Sequence, residues 1–263
     1  SSDLGWAKSI VVLFMFSSLL IYTYRTPIFR GYGLFRGRFT IDLSVCKDIL
    51  ILGIPVCGLV ILESGLFAGV SIFSGILGPI PLAAYQVIIA WVGMAFMFAH
   101  GLAEASMVRI ANAMGRADLE AARRSGMITF AMGISFLIVL SVIPINFPEP
   151  LVRLFLDESD PGFESVLQLT SRLLILAGFF QVFDGLQVIA SMALRGLKDT
   201  LVPLWLAPVG YWVFGIAGGW ILAFPMGLET DGLWWGMTAG LTVTGTLLTI
   251  RFYMLTRAKK VIT

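Results

Sequence analysis

Seven stretches of this chain are long and apolar enough to cross a bilayer, near residues 5–24, 49–75, 82–108, 126–147, 167–194, 201–224 and 232–254. Each approaches or exceeds the roughly 20 residues that span a hydrocarbon core of about 30 Å. In that core every backbone N–H and C=O must be satisfied internally, so only helices or a closed barrel can cross. The alternating ten-residue segments of a barrel do not occur. The expected fold is therefore all-α and polytopic, with the lipid bilayer as its principal partner. Charged residues make up 13% of the chain, against roughly 25% in an average soluble domain. No nucleic-acid partner is expected.

The position of the charges orients the spans. Most Lys and Arg fall in alternate connections: Arg25, Arg30, Arg36, Arg38 and Lys47; Arg109, Arg116, Arg123 and Arg124; Arg195 and Lys198; and Arg251, Arg257, Lys259 and Lys260. The loops between them carry Glu149, Asp157, Glu158, Asp160 and Glu164, then Glu229 and Asp231. Cytoplasmic loops are enriched in Lys and Arg. The amino end of the chain is thus expected outside and the carboxyl end in the cytoplasm, in a cell (inner) membrane. The chain opens SSDLGWAK, with no initiator Met and no signal-peptide cleavage pattern, and is read as part of a longer protein. The sequence upstream of Ser1 would tell an excerpt from a natural truncation.

The basic, Gly-containing segment 25–47 is the expected domain boundary. It separates a lone helix, 1–24, from a six-helix unit, 48–263. Within that unit Asp118 is placed to cap a small surface helix in the turn Gly115–Arg124, and PEPLVRLFL reads as a short amphipathic piece ended by DESDPG. Cys46 and Cys57 are too few for a disulfide framework or a thiolate metal site.

Two carboxylates, Glu63 and Asp184, stand near the middle of otherwise apolar spans. A carboxylate at the bilayer centre costs about 2.5–3.5 kcal/mol on insertion scales, so such groups usually face a cavity and handle ions, protons or charged ligands. At 100° per residue, Thr170, Ala177, Gln181, Gln187, Ser191 and Arg195 fall within about 60° of Asp184, and Leu173 and Phe180 share the sector. The amides of Gln181 and Gln187 could complete an oxygen-rich shell suited to Na⁺ or a proton rather than to a transition metal. His100 and Glu104, four residues apart, share a face with Gln86, Gly93 and Met97 and read as a helix-end cluster or a proton-transfer pair. Arg195 and Asp199 read as topological and capping residues. Thr238, Thr242, Thr246 and Thr249 align on the last span, and Gly65 and Gly69 form a GxxxG that lets a helix approach. The alternative for the carboxylates is hydrogen-bonded packing between helices.

Enzyme signatures such as HExxH, Walker A or GxSxG are absent, and a single deep Asp does not make an intramembrane aspartyl protease. No catalytic residue and no cofactor are expected.

The runs GIPVCGLVILE, GLAEASMVRIANAMGRAD and FQVFDGLQVIASMALRGLKDT, with the following Pro203, resemble the carboxy-terminal half of the multidrug and toxin extrusion (MATE) family, in its NorM-like branch. The resemblance covers about residues 38–258 and implies a 12-helix, two-lobe transporter. In it, residues 1–24 would be the last helix of the amino-terminal lobe, 25–47 a cytoplasmic linker and 48–263 the carboxy-terminal lobe. It implies a cation-coupled antiporter exporting cationic amphipathic drugs, which needs the amino-terminal lobe as partner. It also implies that Glu63 and Asp184 bind the coupling cation, H⁺ or Na⁺. Phe180, Gln181, Gln187, Ser191, His100 and Glu104 would line the cavity around them. Sodium-coupled relatives would carry a tyrosine where this chain has Phe180, so proton coupling is expected here. A lipid-linked sugar flippase of the same superfold, or a truncated non-transporting fragment, are the alternatives. The first should present deep basic residues, whereas the deep charges here are acidic.

Overall fold

A computed structural model describes residues 2–30, 42–156 and 162–257. Arg36, Arg38, Lys259, Lys260 and most of the turn DESDPG lie outside them. The described residues are helical, without a strand. The chain divides into two compact units, Ser1–Asp48 and Ile49–Thr263.

In the first unit, α1 (Ser2–Arg25) is apolar all round, and its large side chains from Trp6 to Tyr24 are exposed. That is the pattern of a helix made to face lipid rather than water. A one-turn helix, α2 (Pro27–Arg30), follows.

The long helices of the second unit are α3 (Leu43–Leu77, which begins in the first unit), α4 (Pro79–Gly115), α5 (Leu119–Asn146), α7 (Phe163–Gly196), α8 (Leu201–Ala223) and α9 (Glu229–Arg257). The short α6 (Pro148–Arg153) buries Leu151 and Val152 and supplies the amphipathic piece anticipated between α5 and α7. Among the described residues six helices are long and apolar enough to cross a membrane: α1, α3, α4, α5, α7 and α8. The seventh expected span, within α9, differs. Its 29 residues reach ~43 Å, ample for a crossing, but its Thr and Gly make it less apolar. Much of it is buried against α7 and α8, so it needs little lipid-facing surface.

The turn between α4 and α5 also departs from expectation. No small surface helix forms there. α4 runs to Gly115, and Asp118 caps the spanning helix α5 itself, its Oδ1 accepting from the Ala121 N–H at 2.9 Å.

α7 is the centre of the unit. It packs on α4, α5 and α9 and is the most enclosed of the candidate spans. Two apolar clusters form along it. One joins Leu66 of α3, Tyr85 of α4, Phe180 of α7 and Trp234 of α9; the other joins Ala99 of α4, Leu137 of α5, Ile189 of α7 and Phe252 of α9. α3 meets α8 differently from the close helix approach expected at Gly65. Side chains fill the space over its glycines: Leu204 at Gly58, Trp212 at Gly65 and Ile216 at Gly69.

The middle of α8, Val209–Ala217, is π-helical. It begins directly after Pro208, whose missing N–H removes one helical hydrogen bond. Such wide turns often occur at functional sites, and this one carries a buried tyrosine, Tyr211, toward α7.

Candidate functional site

A cavity of about 390 Å³ opens among α3, α4 and α7. Its wall contains Glu63 and Ser64 from α3, His100 from α4, and Asp184, Gln187, Ser191 and Arg195 from α7. Apolar residues, including Phe67, Val92, Phe96 and Val188, complete it. The two carboxylates thus reach one cavity from different helices, and they lie within electrostatic range of each other. Asp184 is 3% exposed, whereas Glu63 is half-buried.

Oxygen atoms dominate the polar part of the wall. Asp184, Gln187 and Ser191 follow one another at intervals of three and four, which places them on one helical face. Asp184 Oδ1, Gln187 Oε1 and Ser191 Oγ are buried and lack a hydrogen-bond partner. Buried polar groups are nearly always paired, so three orphans on one wall call for an explanation. One cation could meet Asp184 and Gln187, which are a turn apart, whereas Ser191 lies ~10 Å along the helix from Asp184 and would take a second donor or a water. No cluster of three or more His, Cys, Asp or Glu suited to a metal ion occurs among the described residues. The oxygens available to a hard cation are therefore two carboxylates with an amide and a hydroxyl.

The orientation of Gln187 is set by Tyr211. Gln187 Nε2 donates to the Tyr211 hydroxyl oxygen at 2.6 Å, and Tyr211 is fully buried. This hydroxyl lies within electrostatic range of both Glu63 and Asp184. Like Ser64 and Arg195 in the cavity wall, Tyr211 is absent from the site residues expected from the sequence.

Other expected site residues stand elsewhere. Phe180 is fully buried in an aromatic cluster, edge-on to Phe67 and Trp234 with ring centroids at 6.3 and 5.4 Å. An oxygen at position 180 would have to be accommodated among those rings. Gln181 turns to α5, its Nε2 donating to Ser141 Oγ at 2.9 Å, while Ser141 Oγ lies 2.7 Å from the Gly178 carbonyl oxygen. It therefore clasps α7 to α5 and is absent from the cavity wall. His100 does line the cavity, against Phe96, but Glu104 points outward with 60% of its side chain exposed. Their Nδ1–Oε1 separation of 3.8 Å is a loose pairing.

Arg195 and Asp199 part company. Asp199 accepts from Arg251 Nε at 2.8 Å and ties the turn after α7 to α9. Arg195, expected to be merely topological, lines the cavity within electrostatic range of Glu63.

The MatE family model matches residues 55–221. The chain is 33% identical over 95% of its length to a probable multidrug resistance protein NorM of Pseudomonas putida, covering 54% of that protein. It is 37% identical over 90% of its length to a protein of the same name in Rhizobium meliloti, covering 50% of it. The chain spans about half the length of the curated relatives it matches. Among solved structures it is similar to the eukaryotic MATE transporter AtDTX14, with a TM-score of 0.78 at 23% identity over 93% of this chain and 53% of that one. A MATE protein in its bent conformation gives a TM-score of 0.76 at 17% identity, over 89% and 53% respectively. At these identities the structures attest the fold.

Proposed function

The chain belongs to the MatE family of membrane transporters, and from that premise we propose that it is the carboxy-terminal lobe of a cation-coupled antiporter exporting cationic amphipathic drugs. Residues 1–24 would then be the last helix of the amino-terminal lobe, 25–47 the cytoplasmic linker and 48–263 the lobe itself. The amino end of the chain would lie outside and the carboxyl end in the cytoplasm of the inner membrane. Glu63 and Asp184 bind the coupling cation. The observation that carries this reading is the row of buried, unpartnered oxygens on Asp184, Gln187 and Ser191 in the cavity shared with Glu63. Uptake of a monovalent cation there cancels one negative charge in a low-dielectric setting, which gives the loaded and empty lobes different energies. In transporters built of two repeats, such a difference biases rocking of one lobe against the other.

The coupling ion in this reading is the proton. Phe180 offers no oxygen, and each carboxylate can take up and release a proton without a full coordination shell. Sodium is the second reading, and the orphaned oxygens of Gln187 and Ser191 favour it. Everted vesicles containing the whole protein that carries this sequence separate the two. A pH gradient is expected to drive uptake of a cationic dye, and a sodium gradient at constant pH to drive little. Sodium-driven exchange that persists with a protonophore would overturn the proton assignment.

A lipid-linked sugar flippase fits less well. Arg195 is a basic group of the kind it requires, but Glu63 and Asp184 share the cavity and would repel a pyrophosphate.

A further inference from the structure

Arg195 is the one arginine among the residues that line the cavity, and its charge is incompletely bonded. It lies eleven residues after Asp184, close to the same face of α7 and ~16 Å along it. Its Nε is buried without a hydrogen-bond partner, and its Nη1 has only the weak acceptor Met192 Sδ at 3.7 Å. No carboxylate among the described residues lies within ion-pair distance of it. Its natural partner one turn away, Asp199, is engaged by Arg251 at 2.8 Å. By contrast Arg172 and Arg251 each hold an aspartate, at 2.9 and 2.8 Å. Glu63 stands in the wall of the same cavity and interacts with Arg195 electrostatically.

We propose that Arg195 is a tethered counter-cation that competes with the coupling ion for Glu63. This rests on the reading of Glu63 and Asp184 as the coupling site. With the site empty, the guanidinium offsets the charge of Glu63 from its place on α7. When a cation enters, it takes over that compensation and repels the guanidinium across the cavity. The arrangement weakens binding of the coupling ion and speeds its release, which an exchanger needs as much as capture. The other ionisable groups facing the cavity are Asp184 and His100, with the Tyr211 hydroxyl behind Gln187. None of them carries a permanent positive charge, as the Arg195 guanidinium does.

The test uses the whole protein that carries this sequence, purified in detergent, and reads its thermal stabilisation by cations. One series varies sodium at fixed pH, and the other varies pH without sodium. A ligand that binds only the folded state raises the melting temperature according to its concentration relative to Kd. Removing a unit charge at this range is expected to tighten cation binding about tenfold. Arg195→Gln should thus reach half-maximal stabilisation at about one tenth of the wild-type cation concentration, and Arg195→Lys should stay near wild type. In a Glu63→Gln background, Arg195→Gln should change nothing further. Arg195→Met, which keeps an apolar stem, serves the same reading should the glutamine variant not fold. A wild-type midpoint in the glutamine or methionine variant would overturn the proposal. So would failure of both variants to fold, or a wild-type protein that no cation stabilises in either series. Dye transport by the same preparation tests the antiporter reading separately, since the stabilisation requires no transport.

Discussion

Replacing Asp184 with asparagine is expected to reduce cation-driven dye efflux to the level of cells lacking the transporter, while the amount of protein in the membrane stays near wild type. Asp184 is 3% exposed, and its Oδ1 makes no hydrogen bond. An isosteric amide therefore forfeits little packing. What it forfeits is charge: asparagine can neither balance a bound cation nor carry a proton across the cycle. The cost of placing a carboxylate at this depth is otherwise unrewarded. Efflux of a cationic dye, with an immunoblot of membranes as control, decides the matter. Wild-type efflux in Asp184→Asn cells would remove the residue from the coupling role.

The second large effect is structural. Gly236→Val is expected to abolish recovery of folded protein, with a destabilisation of at least ~3 kcal/mol. α9 meets α8 backbone to backbone. A Cβ at Gly236 would fall against the Gly219 backbone, and one at Gly240 would lie 2.7 Å from the Gly210 carbonyl oxygen and 2.9 Å from Gly215 Cα. Backbone cannot rotate aside as a side chain can. Small residues at a four-residue spacing are the usual means of such close approach in membranes. Gly101→Val is the control: nothing lies within 4 Å of its Cβ position. Monodisperse yield after detergent extraction should collapse for the first variant and hold for the second. Equal yields would mean that α8 and α9 do not meet backbone to backbone.

The contrast between these two residues illustrates what a single sequence can reveal. Asp184 and Glu63 were legible because a carboxylate in an apolar span has few structural reasons to exist. Gln187 and Ser191 followed from helical phase, and the cavity contains both. The same phase argument also selected Phe180 and Gln181, which face other helices. α7 is enclosed on nearly every side, so a polar sector alone does not tell a cavity wall from a helix interface. Tyr211 was beyond reach for a different reason. It lies in the π-helical stretch Val209–Ala217, where counting at 100° per residue loses register. The four-residue spacing of Gly232, Gly236 and Gly240 is legible in the sequence, beside the threonine stripe on the same helix. Those threonines largely serve their own helix: Thr238, Thr242 and Thr249 donate to the carbonyl four residues back at 2.8, 2.6 and 2.7 Å. Arg195 reads from the sequence as topological because it closes a span. Its place on the Asp184 face of α7 brings it into the cavity wall, while Asp199 is held by Arg251.

The central claim is that Glu63 and Asp184 form one cation site, and the amplitude of cation-induced thermal stabilisation tests it most directly. Wild type, Glu63→Gln, Asp184→Asn and the double variant would be compared at saturating sodium and across pH. If the two carboxylates share one site, each single substitution removes the whole cation-dependent shift and the double removes no more, the non-additivity of a coupled pair. If each single variant kept part of the shift and the losses summed in the double variant, the carboxylates would serve two independent sites and the account would be contradicted.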